Sequence, residues 1–151
     1  MFGYTRKAQY HETDKMGIIH HSNYIKWMEE ARIALLEELG MGFAGIEEGG
    51  VVSPVVSVGV DYKHPVYFGD EVEISVAVTG FTGIKLELSY SFFNRTRNCV
   101  CALGTSKHCF VRGDRIISLK KELPALYETV CSYMDSCNSG PGVHNEPSSD
   151  N

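Results

Sequence analysis

The chain predicts an α+β domain in which one long helix lies against a curved antiparallel sheet of about five to six strands. Three observations predict it. Apolar residues recur every three or four positions from Asn23 to Leu39. After Gly49–Gly50 the period changes to two and persists toward Leu119. Turn-length segments separate the alternating runs, which makes successive strands antiparallel neighbours.

Taken in order, Tyr4–His11 reads as a first strand and Thr13–Gly17 as a turn in which Gly17 supplies a positive φ. In the helix, Tyr24, Trp27, Met28, Ala31, Ala34, Leu35 and Leu39 share a face, and Gly40 ends it. Val56–Tyr62, Val72–Val78 and Leu86–Phe92 alternate apolar with polar or small residues, as half-buried strands do. Gly69–Asp70, Phe81–Gly83 and Asn94–Asn98 supply the turns. Val100–Val111 reads as a further long strand and Ile116–Leu119 as a short one. A closing helix over Pro124–Asp135 starts on a proline, which suits a first turn. The domain is expected over residues 1–136, with 137–151 as a flexible polar tail.

Composition excludes several classes of function. The 151 residues carry 19 acidic and 14 basic side chains, a net charge of −5, and no basic block, so a nucleic-acid partner is not expected. No run approaches the roughly 20 apolar residues of a membrane span, and the N-terminus lacks a signal-peptide pattern. The five cysteines are odd in number and form no CxxC pair, so they read as free thiols in a cytoplasmic protein. His20 and His21 are adjacent, which points them poorly at one ion, and no metal or other cofactor is expected. A sheet with open edges needs a partner, and a second copy of the chain would provide one.

The stretch Tyr10–Arg32, YHETDKMGIIHHSNYIKWMEEAR, carries the chemistry. Asp14 stands three residues before Gly17 and shortly before the long helix. A carboxylate can attack a carbonyl or activate water, and a helix N-terminus offers unpaired N–H groups to developing negative charge. The plainer role for Asp14 is to cap its turn. Tyr10 either hydrogen-bonds near Asp14 or is an apolar strand residue with a wet tip. Asn23 suits a helix cap, Tyr24 and Trp27 suit core or pocket wall, Glu30 and Arg32 suit a charge pair, and Asp70 suits a turn. Lys63, His64, Arg95, Arg97, Lys107 and Arg112 are the cations available to a phosphorylated ligand.

Tyr10, Thr13–Asp14, Gly17–Ile18, His21, Asn23–Tyr24, Trp27 and Glu30–Arg32 together resemble the hotdog-fold acyl-CoA thioesterases of the 4-hydroxybenzoyl-CoA thioesterase-like family. HPVYFGDEVEI and ALGTSKHCFV support the resemblance, which spans Tyr4 to Leu119. It implies a long helix wrapped by an antiparallel sheet in a homodimer or homotetramer. It places the catalytic carboxylate on Asp14, as general base or nucleophile, with backbone N–H groups near His21 polarising the thioester carbonyl. His21 and Tyr10 join the catalytic set by the same resemblance, and Gly17, Ile18, Asn23 and Tyr24 become substrate contacts. Two other functions fit the same scaffold: a non-catalytic acyl-thioester binding module and an enoyl-CoA hydratase.

Overall fold

The computed structural model describes residues 1–40 and 49–139. Strand β1 (Phe2–Lys7) leads through a 3-10 turn (Tyr10–Glu12) and a loop to helix α1 (Ser22–Glu38). Strands β2 (Val51–Val52), β3 (Val55–Tyr62), β4 (Glu71–Phe81), β5 (Lys85–Asn94), β6 (Cys99–Cys109), β7 (Val111–Arg112) and β8 (Arg115–Ile116) follow. Helices α2 (Leu119–Glu122) and α3 (Pro124–Ser139) close the described chain. The main sheet is antiparallel throughout, in the order β1-β4-β5-β6-β3, and β2-β7-β8 form a small second sheet.

Helix α1 buries Tyr24, Trp27, Met28, Ala31 and Leu35, five of the seven residues its period predicts, while Ala34 and Leu39 are half-buried. They pack against the inward row of β4 (Val72, Ile74, Val76, Val78) and against Phe92 and Ala102. The helix approaches closely at Gly104, where an added Cβ would lie 3.0 Å from the Met28 methyl. Register shifts at Val78/Gly80, Phe92/Phe93 and Val55/Ser57 add local twist and bend the sheet. A phenol joins the last helix to the first strand. Tyr133 of α3 accepts from the Phe2 amide at 3.2 Å and donates to the Val76 carbonyl, at the Phe2–Val76 pair where the β1–β4 ladder ends.

Several boundaries differ from the sequence reading, each for a local reason. The first strand stops at Lys7, not His11, because the Ala8 amide bonds to Asp70 O and Glu12 accepts the Gln9 amide, starting the 3-10 turn. Asn23 does not cap α1. It lies buried in the first turn and donates to Glu12 O and His20 O. The long strand expected over Val100–Val111 divides at Phe110. Leu119 opens a helix instead of ending a strand, its amide bonded to Gly83 O. Helix α3 continues to Ser139, past the expected 136/137 boundary, and residues 140–151 lie outside the described residues.

Strand β3 departs most from expectation. Its alternation predicted one buried face, yet seven of its eight residues are exposed and Val60 is half-buried. It is an edge strand, paired on one side only, with Val55, Val56 and Val58 in the open.

Candidate active site

The Asp14 turn is built by short-range bonds. Thr13 bridges Ile19, the Asp14 amide bonds to Ile18 O at 2.9 Å, and the Gly17 amide bonds to Asp14 O at 3.0 Å. Gly17 has φ 78°, a region that costs side-chain-bearing L residues steric strain. One carboxylate oxygen of Asp14 accepts the Met16 amide at 2.8 Å. Its other oxygen accepts no hydrogen bond among the described residues. The turn-capping role and an available carboxylate oxygen therefore coexist.

The loop returns to α1 through the His20 amide, bonded to Glu12 O, and the Ile19 amide, bonded to Val66 O. At the helix start the Ser22 amide meets His20 Nδ1 and the Asn23 amide meets His20 O. The His21 amide has no partner among the described residues, and the His21 side chain makes no capping hydrogen bond to the helix. The His21 carbonyl accepts the Tyr62 hydroxyl at 3.1 Å, tying the helix start to β3. Its ring is exposed and stacks on His20, centroids 4.2 Å apart.

The other predicted residues fall into three sets. Gly17 and Ile18 belong to the Asp14 turn. Tyr10 is 77% exposed, meets Phe68 edge-on at 5.9 Å, and makes no hydrogen bond to Asp14 among the described residues. Asn23 and Tyr24 point inward, Tyr24 against Trp27, Phe92 and Tyr62. Glu30 and Arg32 do not pair with each other. Glu30 takes Arg6 and the Tyr4 hydroxyl, and Arg32 takes His108. Among the candidate cations, Arg95 pairs with Glu73, Arg97 with Asp70, Lys107 with Glu87 and Arg112 with Glu122. Lys63 and His64 follow Tyr62 with no side-chain partner among the described residues. No group of three His, Cys, Asp or Glu side chains is placed to hold a metal among those residues.

Sequence reasoning missed Glu12. Its buried carboxylate accepts from Trp27 Nε1 at 2.7 Å, Arg6 Nη2 at 2.8 Å and the Gln9 amide at 2.9 Å. Burial alone would raise its pKa, but these donors hold it below the usual carboxylate range. Glu12 thus joins β1, the 3-10 turn and α1 two residues before Asp14. The signal that could have found it is an arginine, a glutamate and an indole flanking the candidate aspartate. Asp70 is more than a turn residue: its buried carboxylate accepts from the Tyr67 amide, Asn94 and Arg97. Burial opposes its ionisation and those three donors prevail, lowering its pKa.

A cavity of about 270 Å³ lies away from this turn, between the C-terminal half of α1, the sheet and α3. None of the predicted site residues lines it.

The family model of the thioesterase-like superfamily matches residues 8–130. A Bacillus subtilis protein carrying the name "Putative acyl-CoA thioesterase" is 38% identical over 120 residues, 78% of this chain and 86% of that protein. The crystal structure of a DHNA-CoA thioesterase from Staphylococcus aureus superposes with a TM-score of 0.86 at 29% identity, covering 93% of this chain and 95% of that one. A second Staphylococcus aureus protein, solved in complex with CoA, shares the fold with a TM-score of 0.81 at 11% identity, covering 94% and 87% of the two chains. The chain belongs to the thioesterase-like superfamily and has the hotdog fold.

Proposed function

We propose that the protein is an acyl-CoA thioesterase that hydrolyses an acyl-CoA to a carboxylic acid and coenzyme A. The observation that carries this reading is Asp14: one carboxylate oxygen held by the Met16 amide, the other open among the described residues, in a turn just before the start of α1. As general base, Asp14 takes a proton from water while the water oxygen attacks the thioester carbonyl. The resulting oxyanion needs donors, and the unpartnered His21 amide is the candidate. Collapse of the intermediate breaks the C–S bond, and the leaving sulfur takes a proton. As nucleophile, Asp14 would form an anhydride that water then cleaves. His21 and Tyr10 would orient substrate or water, with Gly17, Ile18, Asn23 and Tyr24 around the acyl group. Among the candidate cations, Lys63 and His64 have no carboxylate partner among the described residues and are the ones assigned to coenzyme A phosphates.

Asp14 lines neither of the two cavities found among the described residues, and β3 leaves valines exposed along an open edge. Pairing two β3 edges would cover them and create a groove between subunits, so the working unit is proposed to be a homodimer or a pair of dimers. Five unbridged cysteines favour a cytoplasmic setting.

The test is thiol release from short, long and aromatic acyl-CoAs by wild type and Asp14→Asn. Asparagine can still accept the Met16 amide, so the turn is retained. Turnover should fall about 100-fold or more, in the range for loss of a general base. Equal turnover in the two proteins sinks the assignment. Acyl-CoA binding without thiol release would indicate a binding module, and a hydroxyacyl-CoA with its thioester intact would indicate a hydratase.

A further inference from the structure

The 270 Å³ cavity is apolar over most of its wall, with Leu36 and Leu39 from α1, Val78 and Leu88 from the sheet, and Leu126 and Val130 from α3. Among the described residues its charged lining residues are Glu29 and Arg32, one helical turn apart. Arg32 and Glu29 also line a smaller opening of about 50 Å³ toward β3, which His108, Ser106 and Tyr90 complete.

A fixed polar chain holds Arg32 there. Its Nη1 lies 2.6 Å from His108 Nδ1, His108 Nε2 lies 2.7 Å from Ser106 Oγ, and Ser106 Oγ lies 2.9 Å from the Tyr90 hydroxyl. Arginine can only donate, so His108 Nδ1 accepts and Nε2 carries the proton. Burial first, then the Arg32 charge, push the His108 pKa down to about 4, which keeps the imidazole neutral. The neutral ring positions the guanidinium without cancelling its charge. No carboxylate lies within 4 Å of Arg32 among the described residues, and Glu29 is exposed.

We infer that this cavity binds a monocarboxylate with an apolar tail, the tail enclosed by α1, the sheet and α3, and the carboxylate held by Arg32. A guanidinium presents paired donors that match a carboxylate, and its strength grows beside apolar walls. The volume is nearly twice the roughly 150 Å³ of an engineered apolar cavity that takes up benzene, so a medium-length chain fits. The choice of ligand rests on the proposed activity, whose product is a free acid. The site itself rests on the geometry.

Calorimetric titration of the full chain with decanoate and with decanol tests the inference without turnover. Decanoate should bind once per chain, and at least about tenfold more tightly than decanol, as one charged hydrogen-bonded contact warrants. Arg32→Met should reduce decanoate to the affinity of decanol, and Leu36→Trp, which fills the cavity, should abolish both. Equal affinity for the two ligands in wild type, no binding of either, or binding untouched by Leu36→Trp overturns it. Decanoate binding by a protein that releases no thiol would instead refute the thioesterase reading and leave this pocket standing.

Discussion

Mild acid should destabilise the protein through one buried histidine, even before its carboxylates titrate. The pKa of His108 is depressed from 6.5 to about 4 in the fold. The unfolded chain therefore takes up a proton at this residue as pH falls below 6.5, while the folded chain does not. Stability from the neutral ring is complete above that value, is lost as pH falls, and levels off below about 4. Between pH 7.5 and 5 the unfolded imidazole passes from mostly neutral to mostly protonated, and at 1.36 kcal/mol per pKa unit the loss is about 2 kcal/mol. The perturbation that isolates it is His108→Gln, because glutamine can accept from Arg32 and donate to Ser106 but does not titrate. Urea unfolding at fixed protein concentration should show wild type losing about 2 kcal/mol more than the variant across that pH range. Parallel losses in the two proteins would refute the neutral, Arg32-paired histidine.

Other expectations concern the site and its supports. Glu12→Ala strands the Trp27 and Arg6 donors and should cost about 3 kcal/mol in urea unfolding, as breaking a buried ion pair does, with Glu12→Gln costing less. Gly17→Ala meets open space but must hold φ 78°, so it should lower stability by about 1 kcal/mol and also reduce kcat/KM by re-aiming Asp14. A variant as active and stable as wild type would show that the turn tolerates a side chain. Val56→Lys places a charge on the open edge of β3 and should shift sedimentation from dimer to monomer. An unchanged sedimentation coefficient would move the subunit contact elsewhere.

Elements with a local cause were legible in the sequence. The three-and-four spacing of Tyr24, Trp27, Met28, Ala31 and Leu35 marks a helix because those residues share one face, and the same logic located β4 and β5. Asp14, Met16 and Gly17 form a turn whose bonds span only a few residues. Long-range chemistry was not legible. Glu12 acquires its role only when Arg6 and Trp27 meet across β1 and α1. Arg32 and His108 are 76 residues apart, and nothing near either names the other. Strand β3 misled in a different way: its alternation records a pleated strand, but the burial it suggests is not supplied within one chain.

Tyr133 ties α3 to the start of the described chain. Its phenol occupies the terminal hydrogen-bonding position of the β1–β4 ladder, receiving from Phe2 and giving to Val76. The outermost rung of the sheet is thus completed by a side chain about 130 positions later in the sequence. Loss of the Tyr133 hydroxyl would therefore open the end of the first strand. In engineering terms, the first strand and the Tyr133 turn of α3 share one seam.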